Sequence, residues 1–234
     1  MQAPSNNKGV VLLSGGIDST TTLAIALSEV DECVAVTFNY GQKHASEVNA
    51  AASIAARMGV HNHLIIRLPL GEHAASALTE KSIEVPKHEG DPAARNSIPD
   101  TYVPARNTIF LSYGLAIAET TDSDSIYIGV SSVDYSGYPD CRPEFIKAFQ
   151  NLASVATERG AEGKEIKIKA PLQHLTKAET IRKGVQLGVD YSLTLSCYDP
   201  DSRGYACGGC DSCRLRLRGF EEADVEDPTV YRQV

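Results

Sequence analysis

Val10-Val11-Leu12-Leu13-Ser14-Gly15-Gly16-Ile17-Asp18-Ser19-Thr20-Thr21 is the stretch whose reading decides the fold. An apolar strand runs straight into a paired-glycine turn, and hydroxyl residues open a helix immediately behind it. Paired glycines let the backbone curl tightly and bring bare N–H groups up to an anion. Ser19, Thr20 and Thr21 then offer hydroxyls and amides at the positive end of a helix dipole. The result is a cradle for phosphate. It is not a Walker loop, because no Gly-Lys-Ser/Thr follows, and it is not G-x-G-x-x-G. A Gly-Gly pair can simply end a strand, but serines and an aspartate at these offsets favour the nucleotide reading.

Outward from this stretch, strand and helix alternate. Lys8–Leu13 reads as a strand and Thr20–Glu29 as a helix; Cys33–Asn39 and a helix from about Ala45 to Met58 follow. His63–Leu68 gives a third strand, and helix Ala105–Thr121 precedes strand Ser125–Val130. Helix Pro143–Arg159, the alternating strand Glu165–Ala170 and helix Lys177–Leu187 complete the series. Buried strands alternating with helices of this length predict an α/β fold with a doubly wound parallel sheet. Ligands in such folds bind beyond the carboxyl ends of the strands. Ser14–Asp18, Asn39–Gln42 and Ser131–Arg142 all fall at such ends. Residues Glu84–Thr101 carry prolines and charges without periodicity, as a lid or mobile insertion does. Near Asp190 the rhythm stops, which divides the chain into an α/β domain over 8–190 and a cysteine segment over 191–220.

The 234 residues suffice for one sizeable α/β domain with an appendage. A net charge of −8 opposes a polyanion and favours small-molecule substrates over nucleic acid. No apolar run is long enough to span a bilayer, and Met1–Asn7 lacks the regions of a signal peptide, so a cytoplasmic protein without membrane contact is expected. The oligomeric state stays open, with a homodimer as one option.

Of six cysteines, Cys197, Cys207, Cys210 and Cys213 crowd together as C-x9-C-x2-C-x2-C, with Gly208 and Gly209 in the tight loop. Two-residue gaps turn successive thiolates onto one metal. Four thiolates complete a tetrahedral zinc shell and leave no position for water, so the favoured reading is structural Zn²⁺. An iron–sulfur cluster is the alternative ligand set, ahead of catalytic zinc or free thiols. Cys33 reads as a strand residue and Cys141 as a loop thiol near the substrate pocket. Arg214, Arg216 and Arg218, backed by the acidic run Glu221–Asp227, read as a solvated, salt-paired helix end rather than a nucleic-acid contact.

The Ser-Gly-Gly-x-Asp-Ser pattern at 14–19 resembles the pyrophosphate loop of ATP pyrophosphatases. Further motifs narrow this to one family. They are Tyr40-Gly41-Gln42-x-His44-x-x-Glu47, Val103-Pro104-Ala105-Arg106-Asn107, the run Asp134–Phe145, Ala170-Pro171-Leu172 with Lys177, and Ser196-Cys197-Tyr198 with the clustered cysteines. From Val10 to about Arg216 the chain resembles the QueC family of 7-cyano-7-deazaguanine synthases. One departure is Leu195, where the family usually has a tryptophan before Ser-Cys-Tyr.

The resemblance implies an adenine nucleotide alpha hydrolase-like fold and an ATP-dependent carbon–nitrogen ligase of queuosine biosynthesis. 7-Carboxy-7-deazaguanine and ammonia would become the nitrile through adenylation of the carboxylate, with ATP, Mg²⁺ and Zn²⁺ as the implied cofactors. Leu13, Ser14, Gly15, Gly16, Ile17, Asp18, Ser19, Thr20 and Thr21 would bind the nucleotide, with Asp18 orienting the loop or holding Mg²⁺. Asp18, Ser19, Arg106 and Lys177 are the expected catalytic residues, the last two as cations on phosphate. Gln42, His44, Glu47, Asn107, Asp134, Tyr138, Asp140 and Arg142 are expected around the deazapurine, with Asp140 accepting from its guanine-like edge.

Rival readings are a tRNA-thiolating enzyme with the same loop, an amide-forming pyrophosphatase such as NAD synthetase, and a non-catalytic adenine-nucleotide sensor. The acidic charge and the far C-terminal position of the close cysteine pairs oppose the first. The second leaves the cysteines without a purpose, and the third leaves Arg106-Asn107 and Tyr138–Arg142 without one. ATP turnover only on addition of a deazapurine acid separates enzyme from sensor.

Overall fold

The structure, a computed structural model, describes residues 7–43, 46–87, 97–133 and 137–233. Five strands form one parallel sheet in the order β3-β2-β1-β4-β5. They are β1 (Lys8–Leu12), β2 (Glu32–Asn39), β3 (Asn62–Arg67), β4 (Ser125–Tyr127) and β5 (Lys167–Lys169). In register, Val10 faces Val34 on one side and Ile126 on the other, while Val11 faces Ala35 and Tyr127.

Because side chains alternate across a strand, these apolar runs supply two cores. Val10, Leu12, Val34, Val36, Phe38 and Ile126 pack against Leu111, Leu115 and Ala118, and also against Phe149 and Ala153. The former belong to α3 (Arg106–Thr120), the latter to α4 (Pro143–Ala156). On the opposite face, Val11, Leu13, Ala35 and Tyr127 meet Leu23 and Ala26 of α1 (Ile17–Glu29) and Ala51, Ile54 and Ala55 of α2 (Ser46–Arg57). Helices on both faces make the sheet doubly wound, as the sequence predicts. The chain moves outward from β1 through β2 to β3, then returns to place β4 on the other side of β1. The carboxyl ends of β1 and β4 therefore flank the crevice where such folds bind ligands.

Three boundaries differ from the sequence reading by three residues. Helix α1 starts at Ile17, three residues early, because Gly15 alone makes the positive-φ turn (φ 88°) and Gly16 already serves as the N-cap. Strand β4 stops at Tyr127, although the Ile128 N–H still donates to Lys169 O at 2.9 Å. The helix from Pro143 breaks at Thr157, whose hydroxyl accepts the Gly160 N–H and opens the short α5 (Glu158–Ala161). Helix α6 (Lys177–Gln186) opens on a reciprocal capping box between Thr176 and Glu179.

The segment behind Asp190 carries a full helix, α7 (Asp211–Ala223). Its Phe220 and Ala223 share a core with Ala178 and Ile181 of α6 and Ile17 and Ala24 of α1. The cysteine segment is thus packed onto the very helix that opens behind the glycine turn.

Candidate active site

At the end of β1 the chain must turn inside a crowded space. A Cβ on Gly15 would lie 2.7 Å from the Glu47 carbonyl and 2.9 Å from the Ala51 nitrogen, and its φ of 88° disfavours any side chain. Gly129, just past β4, is equally confined: a Cβ there would lie 2.9 Å from the backbone of Asp18 and Ser19. The sequence reading gave Gly129 no role, and its signal was only a glycine inside an apolar run. Gly129 thus lets the end of β4 press on the first turn of α1, while Gly15 lets the turn after β1 press on α2.

Within that turn Ser19 Oγ accepts from Ser14 N–H at 3.1 Å and lies 3.0 Å from Ser14 Oγ. Thr20 and Thr21 require a correction. Their hydroxyls do not face a ligand: Thr20 Oγ1 donates to Gly16 O and Thr21 Oγ1 to Ile17 O, and both residues are buried. Thr21 Oγ1 also meets the Tyr191 hydroxyl at 2.7 Å. The helix backbone competes for threonine hydroxyls in this way whenever the residue falls inside the first turn.

Asp18 projects from α1 to Lys177, the first residue of α6, with Oδ1 2.5 Å from Nζ. Across the cavity, the Arg106 guanidinium sits 5.9 Å from the Tyr40 ring centroid and 6.0 Å from that of Tyr138, within cation–π range. Tyr138 is fixed by a 2.7 Å bond between its hydroxyl and Thr101 Oγ1. Phe110 stacks on Phe38 at 4.1 Å, which holds α3 against the end of β2. Glu47, in the first turn of α2, also reaches this wall. Burial pushes its carboxyl up to about 7, with Arg106 pulling it back.

These groups line one cavity of about 270 Å³, at the small end for ligand sites. Ser14, Asp18, Ser19 and Lys177 contribute to its lining, as do Tyr40, Glu47, Arg106 and Tyr138. Ser196 and Tyr198 line it as well, residues for which the sequence gave a motif but no role.

Other expected contacts fall elsewhere. Asp140 is buried, and its Oδ2 accepts the Asn107 N–H at 2.9 Å, while Asn107 Nδ2 donates to Asp140 O at 3.0 Å. Asp140 therefore caps α3 from outside and is not among the cavity residues, contrary to its expected place on the base. Its pairing partner Asn107 does line the cavity. Gln42 lines the cavity too, but its amide closes the turn after β2, accepting from Tyr40 N–H and donating to Phe38 O. Arg142 is exposed at the N-cap of α4 and does not line the cavity. His44 and Asp134 lie outside the described residues.

The four cysteines converge. Cys197, Cys207, Cys210 and Cys213 are buried, and their sulfur atoms all lie within 4.8 Å of one another. Cys197 Sγ accepts from the N–H groups of Cys207 (3.1 Å) and Asp199 (3.3 Å), and Cys207 Sγ from that of Cys210 (3.3 Å). Metal–sulfur bonds of about 2.3 Å in a tetrahedron place sulfurs roughly 3.8 Å apart, close to the 4.0 Å between Cys207 and Cys213. The donor set fits a closed metal shell.

The solvated reading of Arg216 is corrected here. It is 2% exposed, pairs with Asp227 at 2.9 Å, and donates to Thr194 Oγ1 (2.7 Å) and Tyr191 O (3.2 Å). The salt pairing falls on the acidic run as the sequence suggests, but the alternation of arginines with apolar residues conceals which one faces inward. Arg218 stays at the surface beside Glu222, 3.7 Å away.

The chain matches the family model of the queuosine biosynthesis protein QueC over residues 8–224. It is 58% identical over 224 residues to the 7-cyano-7-deazaguanine synthase of Coxiella burnetii, covering 96% of this chain and 97% of that one. With the enzyme of the same name from Alcanivorax borkumensis the identity is 55% over 225 residues, covering 96% and 99%. With that from Legionella pneumophila it is 55% over 226 residues, covering 97% of each. The chain belongs to the QueC family.

Proposed function

We propose that this QueC-family chain uses ATP to convert 7-carboxy-7-deazaguanine and ammonia into 7-cyano-7-deazaguanine. The observation that carries the reading is the single cavity in which the glycine-turn helix, the Asp18–Lys177 pair and the Arg106–tyrosine wall meet. A carboxylate is a poor electrophile. Adenylation on its oxygen creates a mixed anhydride with a good leaving group; ammonia then displaces that group and gives the amide. A second activation, on the amide oxygen, permits elimination to the nitrile.

The residues divide this work by charge. Ser14, Gly16 and Ser19 border the space for the departing phosphates at the N-terminus of α1, where dipole and free amides favour anions. Lys177 supplies a cation beside them, and Arg106 one on the substrate side. Bound Mg²⁺ would neutralise charge on the phosphates, and Asp18 is the carboxylate on this loop suited to hold it. The four cysteines would hold Zn²⁺, which closes their segment without joining the chemistry. Reduced thiols at one centre suit the cytoplasm. Tyr40 and Tyr138 offer faces to a heteroaromatic ring, with Asn107 as a polar neighbour.

The tRNA-thiolation reading is not favoured, since the relatives named above are deazapurine synthases. The test is direct: incubate the protein with ATP, Mg²⁺, ammonium and the deazapurine acid, and follow the nitrile by mass spectrometry. Formation of the nitrile only when all four are present is expected. ATP consumption without the acid, and no nitrile with it, defeats the proposal.

A further inference from the structure

The loop segment 194–198 runs from α7's buried arginine to the metal centre and passes over the glycine turn. The Leu195 N–H donates to Gly15 O at 2.9 Å. The next residue, Ser196, accepts the Ile17 N–H at 3.4 Å. Ile17 N–H belongs to the first helical residue of α1, one of the amides a helix leaves without an internal partner. A point one Cβ above Gly16 lies 3.5 Å from Ser196 Oγ and 3.7 Å from Ser14 Oγ, so the two hydroxyls border the same space. A serine hydroxyl has one proton to give as well as lone pairs. With one lone pair turned to Ile17, and Ser196 lining the cavity, that proton is available to an anion in the turn.

Both ends of this segment are pinned. On one side Arg216 holds Thr194 Oγ1 at 2.7 Å, and Thr194 Oγ1 in turn bonds Tyr191 O at 2.7 Å. On the other side Cys197 is held in the four-cysteine cluster. We propose that Ser196 is a hydroxyl of the nucleotide's phosphate site, delivered by the cysteine segment, so that metal at the four cysteines sets how tightly the glycine turn holds ATP. The proposal rests on the nucleotide reading given above. Ser196 is a positioning and binding residue in it; the metal stays outside the chemistry and acts through one covalent neighbour.

The test is ATP binding by titration calorimetry on the full chain, without deazapurine or ammonium. Ser196→Ala should weaken ATP about tenfold, the loss of one hydrogen bond to a charged group, with metal content and melting temperature kept. Ser196→Thr, which retains the hydroxyl, should bind within a few-fold of the parent. Stripping the metal with a chelator should weaken ATP binding in the parent and leave Ser196→Ala little changed, and Zn²⁺ should restore the parent. Where stripping unfolds the chain, Cys197→His keeps a metal donor while shifting the segment; it should bind Zn²⁺ and lose ATP affinity. Parent-like affinity in Ser196→Ala, in folded metal-free protein, or in zinc-loaded Cys197→His overturns the inference. A parent chain that binds no ATP at all overturns the function proposed above instead.

Discussion

Asp18 and Lys177, 159 residues apart in sequence, meet at 2.5 Å across the N-termini of α1 and α6. Each residue lies in the first turn of its helix, and each helix end is positive. An aspartate shared between two such ends keeps the lysine ammonium beside the phosphate space instead of in solvent. Lys177 is further braced by α7, where its stem lies so close to Gly219 that a Cβ there would overlap it. We expect Asp18→Ala and Lys177→Ala each to lower kcat by roughly 10²–10³, the scale of one preorganised charge at a reacting centre. Melting temperature should barely move, because a pair this near solvent contributes about 1 kcal/mol or less to folding. Steady-state kinetics beside calorimetric melting reads both quantities. Turnover near that of the parent in either variant removes the pair from the mechanism.

Glu47 gives the site a pH dependence. Its carboxyl is raised from 4.5 to about 7 by burial, against the pull of Arg106. The folded chain therefore binds this proton more tightly than the unfolded chain does. The associated stability is fully present below about pH 4.5 and is lost as the pH rises through 7. Glu47→Gln carries no titrating group, so its melting temperature should gain on the parent between pH 5 and pH 7.5. Glu29, held low by its hydrogen bond from Lys169, titrates beneath this window and does not interfere. Melting curves of the two proteins at matched pH make the comparison, and a constant difference across the range shows that Glu47 ionises normally.

Asp140 is expected to act on stability rather than on recognition. Its carboxylate takes the Asn107 N–H in a buried setting. Asp140→Ala leaves that N–H without an acceptor, at a cost of about 1–3 kcal/mol. Asp140→Asn retains an oxygen and should recover most of the loss. Urea unfolding of both variants measures this. A large rise in KM for the deazapurine acid with unchanged stability returns Asp140 to the role its sequence position suggests.

The sheet was readable from the chain because continuous apolar runs bounded by helices admit few arrangements. The glycine turn was readable because positive φ and close approach demand specific residues. The inward half of the site was less so. Thr20, Thr21 and Asp140 are polar residues in a binding motif, and pattern alone does not say whether such a group faces ligand or repairs backbone. The structure gives all three to the backbone. The inward face of α7 is hidden for a different reason. Its sequence, DSCRLRLRGFEEA, alternates charge with apolar residues, and its buried face is completed by Arg216 rather than by another apolar side chain. Asp227, together with Thr194 Oγ1 and the Tyr191 carbonyl, makes that burial tolerable.

The last prediction concerns the metal. Cys207, Cys210 and Cys213 occupy the knuckle and the start of α7, while Cys197 comes from the loop segment beside the glycine turn. Closing four thiolates on one ion therefore ties α7 to the sheet domain, and metal binding becomes part of the folding free energy. The apolar neighbours of the cluster are few: Val85, Leu195, Tyr198, Ala206 and Tyr231. That is too little surface to hold the knuckle without a metal. Cys207→Ser and Cys210→Ser should each lose the one Zn²⁺ expected per chain and about 3 kcal/mol of stability, a fall of roughly 6–12 °C in Tm for a chain of this size. Cys33→Ser, outside the cluster, should keep both the metal and the Tm within a few degrees. Activity should fall in the two knuckle variants as a consequence of the loosened segment. Metal analysis beside melting and activity assays decides the matter. A zinc-free knuckle variant with parental Tm and no turnover makes the metal catalytic and overturns the structural role.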